Sequence, residues 1–224
     1  MNESERRLLH SWQTNARGWI DVVREQRIDS RRLVTDAAML DAALALHPQR
    51  ALDIGCGEGW LCRALSAHGV QMVGVDAQPL LIDAARLAGG GQFHVCRHAD
   101  LCAAHLGRFD LLLCNFALLE EQLQPLLHGW HDLLQPGGRL LIQTLHPRSA
   151  CGEQDYRDGW RLEHFTSMGA GFAEPMPWYF RTLESWLALV AAAGWQLVAR
   201  SEPPHPRSGI PASLLLELAR PESG

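Results

Sequence analysis

The sequence predicts an α/β fold, a mainly parallel sheet doubly wound with helices on both faces. Three observations carry that expectation. From Thr35 to Leu145, short apolar runs alternate with helical patterns at intervals of roughly 20–30 residues, the rhythm of strand–helix–strand crossovers. The first run, Arg50-Ala51-Leu52-Asp53-Ile54, leads into Gly55-Cys56-Gly57-Glu58-Gly59, which opens a helical segment. The run Phe109 to Asn115 is apolar almost throughout, as expected of a strand covered on both faces.

Residues 2–34 are helical in period and rich in arginine (Arg24, Arg27, Arg31, Arg32), and are expected to form an N-terminal helical cap. Thr35 to Leu46 repeats apolar residues at helical spacing and stops at His47-Pro48. Arg50 to Ile54 reads as the first strand, and Trp60 to His68 as a helix closed by Gly69. Gln71 to Val75 is a second strand ending in Asp76, and Pro79 to Leu87 a second helix. Gln92 to Arg97 and Phe109 to Asn115 are the third and fourth strands. Leu118 to Leu134 reads as one long helix before the turn Pro136-Gly137-Gly138, and Arg139 to Leu145 is the fifth strand, completing a core over residues 35–146.

Residues 147–181 break the rhythm, with an irregular pattern and a cluster of Trp160, Phe165, Phe172, Trp178, Tyr179 and Phe180. A long segment without regular structure is uncommon unless it is functional, so a lid or substrate insert is expected here. Residues 182–224 supply a helix from Thr182 to Ala193, closed by Gly194, and strands from Trp195 to Arg200 and from Ala212 to Ala219. All of this is expected within a single domain, residues 1–224.

Composition narrows the function. A net charge of -5 and a pI near 6.1 give no clustered basic face, so no nucleic-acid partner is expected. The chain contains no lysine, its twenty cationic residues being arginine, and that removes both Schiff-base chemistry and the P-loop lysine. Six cysteines without a C-x-x-C pair read as small buried hydrophobes in a reducing cytoplasm rather than metal ligands. The polar N-terminus carries no secretory pattern, and no apolar run approaches the ~20 residues of a membrane span.

In an open doubly wound sheet, ligands sit beyond the carboxyl ends of the strands, where strand order reverses. Glycines let the backbone turn sharply there, and the following helix offers unpaired amides. The spacing is G-x-G-x-G, and three acids surround it. Asp53, two residues before Gly55, would repel a pyrophosphate but suits an ammonium group, or else orders the loop. Asp76 ends the second strand, where it is placed to accept hydrogen bonds from ribose hydroxyls. Asp100 follows the third strand, where it either meets an adenine amine or caps the helix from Leu101. A ligand with an ammonium, a ribose and an adenine but no phosphate matches this layout.

Leu52-Asp53-Ile54-Gly55-Cys56-Gly57-Glu58-Gly59, with Gly74-Val75-Asp76, Ala99-Asp100-Leu101, Phe109-Asp110-Leu111 and Leu134-Gln135-Pro136-Gly137-Gly138, resembles the class I S-adenosylmethionine-dependent methyltransferase family over residues 47–146. The resemblance implies a Rossmann-like seven-stranded sheet whose last strand is antiparallel. It implies S-adenosyl-L-methionine as cofactor and S-adenosyl-L-homocysteine as product. Asp53, Gly55, Cys56 and Gly57 would surround the methionine part, Asp76 and Ala77 the ribose, and Asp100 and Leu101 the adenine. Asn115 and Phe116 would line the methionine and acceptor region.

On the acceptor side, His146 ends the fifth strand and is the histidine that topology brings to the site, with an ordinary pKa suited to a general base. Its other reading is a polar residue bonded to the following loop. Asn115 is the second candidate catalytic residue. Trp160, Phe165, Trp178 and Tyr179 are expected to face an apolar or planar acceptor and Arg161 or Arg181 a carboxylate, unless the insert is only a satellite apolar cluster. The expected function is methyl transfer to an oxygen or nitrogen of a small molecule by a monomer or homodimer. The alternatives are a non-catalytic S-adenosylmethionine-binding protein or a macromolecular acceptor.

Overall fold

The computed structural model of the protein describes residues 3–221, apart from Ser167 and Ala170. A long helix, α1 (Glu3–Arg24), is followed by a π-helical turn (Arg31–Thr35) that runs directly into α2 (Asp36–Ala45). Next come β1 (Arg50–Ile54), α3 (Trp60–Ser66), β2 (Gln71–Asp76), α4 (Pro79–Ala88), β3 (Gln92–Val95), a 3-10 turn (His98–Ala104) and β4 (Phe109–Asn115). The chain continues through α5 (Gln124–Gly129), a second 3-10 turn (Trp130–Leu133), β5 (Leu134–Leu145), α6 (Pro147–Cys151), β6 (Gly159–Glu163) and β7 (Met176–Phe180). It closes with α7 (Leu183–Ala192), β8 (Gln196–Ser201) and β9 (Ser213–Ala219).

Seven strands join in the order β3-β2-β1-β4-β5-β9-β8, and strand order reverses between β1 and β4. The pairs β2–β3, β1–β2, β1–β4 and β4–β5 are parallel, whereas β9 runs antiparallel to both β5 and β8. The expected sheet with an antiparallel last strand is what forms. Side chains alternate between its faces. Leu52 and Ile54 of β1, with Leu112 and Cys114 of β4, pack under α5 and α7 against Trp130, Trp186 and Trp195. Ala51 of β1, with Leu111 and Leu113 of β4, packs on the other face against α2, α3 and α4. Asp53 lies on that second face by the same alternation.

Two elements differ from expectation. Instead of one helix over Leu118–Leu134, the helix starts only at Gln124. Pro125 fits the first turn of a helix but not its interior, which leaves residues 116–122 as an irregular wall. The insert, in turn, is not structureless. It holds α6 and the two-stranded ribbon β6–β7, in which Trp160 pairs with Tyr179 and Arg161 with Trp178. Pro177, which lowers strand propensity in the sequence, is accommodated because each strand of a two-stranded ribbon is an edge strand. The aromatic residues of the insert bind it to α1: Trp19 meets Phe165 and Phe172 edge-on, and Phe165 stacks on Phe172.

The turn from β1 into the glycine loop needs a residue without a side chain. Gly55 has φ +78°, and a Cβ there would overlap the Ala117 methyl in the segment after β4. Gly55→Ala is therefore expected to destabilise the fold by about 2–4 kcal/mol, the left-handed penalty adding to the overlap. Urea unfolding checks this; an unchanged midpoint would mean the loop does not hold this conformation.

Candidate functional site

A cavity of about 550 Å³ opens at the carboxyl ends of β1, β2 and β4, within the size range of small-molecule sites. Its floor is Gly55 to Glu58, Asp76 to Gln78, Arg97 to Ala99 and Asn115 to Glu120. Trp12, Trp19 and Arg31 from the N-terminal segment and Phe165, Trp178 and Arg181 from the insert complete its walls.

The floor is rigid because its backbone donors are satisfied. The Gly55 and Cys56 amides both donate to the Val75 carbonyl, at 2.8 and 2.9 Å, extending the β1–β2 ladder into the loop. The next amide, Gly57, donates to Asp76 Oδ2 at 3.0 Å, and Gln78 N donates to Oδ1 at 2.8 Å. One carboxylate thus ties the glycine loop to the start of α4. Burial raises the Asp76 pKa, opposed by those amides. Glu58 is buried and paired with Arg24 of α1 at 3.0 Å and Arg63 of α3 at 2.7 Å, which latches the helical cap to the loop.

Asp53 is 2% exposed and lies behind the loop, with Cys62 Sγ donating to Oδ2 at 3.6 Å. Burial pushes its pKa up to about 7, against the Cys62 hydrogen bond. Arg31 lies over the Trp60 ring, its Nε 2.9 Å from Asp36 Oδ1, while its buried Nη2 has no partner. At the other side of the floor, His98 Nδ1 lies 2.9 Å from Glu120 Oε1. Burial alone would lower the His98 pKa, but the Glu120 carboxylate, with a further contribution from Asp76, leaves it raised. Burial would raise Glu120, and His98 leaves it lowered.

Gly55, Cys56, Gly57, Asp76, Ala77, Asn115, Phe116, Trp178, Tyr179 and Arg181 all line the cavity. Asn115 is fixed through Gln143, whose Nε2 donates to Asn115 Oδ1 at 2.7 Å and to the Thr35 carbonyl at 2.9 Å. Five expectations need correction. Asp53 is sealed beneath the loop, because strand alternation turns it toward α3. Asp100 is half-exposed and paired with Arg97 at 2.8 Å, bordering only a shallower depression shared with Ala77 and Arg97. Leu101 is fully buried in the core under α5. His146 is 3% exposed, does not line the cavity, and puts Nε2 3.2 Å from Glu202 in the β8–β9 connection. Trp160 does not line the cavity; its ring packs edge-on against Tyr179, and its Nε1 donates to Glu121 at 3.3 Å.

The histidine at the cavity is His98, which the sequence reading left without a role. Its position beside Ala99-Asp100, in a motif that the fold returns to the glycine loop, was the available signal. Glu120 and Arg31 had weaker ones, since an unbroken helix was expected over the first and only an arginine-rich helical cap over the second. Among the described residues no cluster of three or more His, Cys, Asp or Glu is arranged to hold a metal ion, and no helix is long and apolar enough to cross a membrane.

The chain is similar to a ubiquinone biosynthesis O-methyltransferase of Xanthomonas oryzae, 34% identical over 119 residues, covering 50% of this chain and 49% of that protein. A Coxiella burnetii protein of the same name is 32% identical over 113 residues, covering 48% of each. The match thus spans about half the length of these curated relatives. Among solved structures, an S-adenosylmethionine-dependent methyltransferase of Mesorhizobium loti superposes with TM-score 0.60 at 25% identity, over 80% of this chain and 96% of that one. The 1,6-didemethyltoxoflavin-N1-methyltransferase of Burkholderia thailandensis superposes with TM-score 0.61 at 23% identity, over 91% and 89%. A family model described as a methyltransferase domain matches residues 23–200, from the end of α1 into β8 and across the whole cavity floor, so the chain belongs to the methyltransferase-domain family in its class I form.

Proposed function

We propose that the chain is an S-adenosylmethionine-dependent methyltransferase acting on an oxygen or nitrogen of a small-molecule acceptor. The observation that carries this reading is the glycine loop at the β1–β4 reversal, tied to Asp76 on the floor of the cavity. A carboxylate has about four acceptor sites, so Asp76 retains capacity for ribose hydroxyls after binding two amides. The unpartnered Nη2 of Arg31 suits the carboxylate of a methionine group, and the Asp53 charge beneath the loop favours its ammonium through the field rather than by contact. The adenine end fits toward Ala77 and Arg97, where the shallower depression adjoins the floor. A pyrophosphate fits poorly against Asp76 in a chain without lysine.

Relatives support the same direction. The Xanthomonas protein is named for O-methylation, and the Burkholderia N-methyltransferase holds its acceptor together with S-adenosylhomocysteine. Bound in this cavity, the sulfonium supplies an activated methyl group with a good leaving group. The protein's own contribution is then alignment and exclusion of water, with α1 and the insert as walls. A hydroxyl or protonated amine also needs a base. His98 is the imidazole at this cavity, and a proton on Nδ1 held by Glu120 leaves Nε2 as its accepting nitrogen. Unpaired cysteines throughout the described residues fit a reducing, cytoplasmic setting.

The direct test is incubation with methyl-labelled cofactor and a small-molecule extract. Label is expected to appear in a low-molecular-mass product; cofactor binding without transfer to any extract would make the chain a non-catalytic binder, and label in protein or RNA a macromolecular methyltransferase. Asp76→Ala and Arg31→Leu are each expected to weaken S-adenosylhomocysteine binding in calorimetry by about 2–3 kcal/mol, the range for hydrogen bonds to charged groups. Unchanged affinity would remove the assigned role. Ionised Asp53 favours a cationic ligand, so binding should strengthen as pH rises through about 7, and Asp53→Asn should flatten that part of the profile. An identical profile in the variant would show that another group is responsible.

A further inference from the structure

Arg181 follows β7, lines the cavity and is 5% exposed. Its Nη2 donates to the carbonyls of Glu120 and Glu121 at 2.7 and 2.6 Å, and its guanidinium carbon lies 4.7 Å from the Tyr179 ring centre and 5.2 Å from that of Trp186. Its Nη1 is buried and has no partner. An arginine cannot shed its charge, and burying a charge without a counter-ion is costly. Nearby carboxylates are engaged elsewhere: Glu120 with His98 and the Leu119 amide, Glu121 with Trp160, and Asp158 with the Thr182 amide. Carbonyls and aromatic rings therefore fix this guanidinium in place without a carboxylate bonded to it, Glu120, Glu121 and Asp158 acting on its charge only through the field. Burial acts on it accordingly, lowering its pKa. Arg161, the neighbouring candidate in sequence, is spent on the carbonyls of Ala150, Cys151 and Asp155 and does not line the cavity.

We infer that the methyl acceptor is a planar molecule bearing a carboxylate, and that Arg181 is the specificity residue that receives it. The inference rests on the proposed transfer reaction and names its substrate class. Trp178, Tyr179 and Phe180 line the same wall and supply apolar surface for a ring, while Arg181 supplies a buried positive charge on that wall with an unmet donor. A planar guanidinium matches a carboxylate in geometry as well as in charge.

The test uses the full chain with S-adenosylhomocysteine present, and reads tryptophan fluorescence as ligand is added. The probes are 4-hydroxybenzoate and indole-3-acetate, each against its own methyl ester. The wild-type protein is expected to bind at least one acid about tenfold or more tightly than its ester. Arg181→Met should abolish that preference and Arg181→Lys should retain part of it, with S-adenosylhomocysteine affinity unchanged in both. Equal binding of acid and ester by the wild type, or a preference that survives in Arg181→Met, overturns the inference and leaves Arg181 a bracket between β7 and the segment after β4. If Arg181→Met fails to fold, Arg181→Lys decides: its preference must fall, and an undiminished one overturns the inference. Failure of the wild type to bind S-adenosylhomocysteine would count against the transfer reaction instead, and the acid–ester comparison can still be read without it.

Discussion

The site depends on one buried carboxylate that organises two loops. Asp76 takes the Gly57 amide on one oxygen and the Gln78 amide on the other, so the ends of β1 and β2 cannot move independently. A carboxylate in this position is costly to bury, and its raised pKa reflects that cost. The hydrogen bonds offset part of it and produce a fixed floor. Gly55 is the complementary constraint, because Ala117 fills the space where any other residue would place its side chain. Loop, β2 and the segment after β4 therefore form one rigid unit before any ligand arrives.

The helical cap is attached to that floor by charge rather than by backbone pairing. Glu58, inside the glycine loop, is held by Arg24 of α1 and Arg63 of α3 together. Arg24 also reaches the Ala84 carbonyl of α4. Removing either arginine would leave a buried acid short of a partner, which is why the latch is sensitive. Apolar contacts of α1 with Leu81 and with Phe165 complete the attachment on the α4 and insert sides. The cap and the insert hold each other as well, through Asn15, whose side chain bonds the Ala173 amide and the Glu174 carbonyl.

Charge inside the cavity is partitioned. Asp76 and the His98–Glu120 pair lie on the strand-end floor with Asp53 sealed beneath it, whereas Arg31 and Arg181, each with an unmet donor, lie in the walls built by the N-terminal segment and by the insert. That separation suits a ligand pair in which the donor is cationic at its sulfur and ammonium, and the acceptor brings a negative group to the insert. His146, placed by its order in the chain at the fifth strand end, does not line this cavity. The β8–β9 connection supplies Glu202 and draws it away.

The sequence by itself determined the strand–helix alternation of the core and the glycine loop, because these rest on local rules, while the seven-stranded sheet with its antiparallel last strand was implied by the resemblance those motifs carry. Two-residue alternation, glycine conformational freedom and strand-end acids act over a few residues and leave a direct trace. Only the tertiary structure decided which side chains meet across the cavity. Asp53 faces α3 rather than the ligand because of the pleat of β1, and Leu101 fell into the core. Asp100 turned outward to Arg97, and Trp160 donates to Glu121. His98 and Glu120 are 22 residues apart, and Arg181 reaches carbonyls 60 and 61 residues away. Such pairings are set by how the insert and cap pack over the sheet, at distances that no spacing in the sequence encodes.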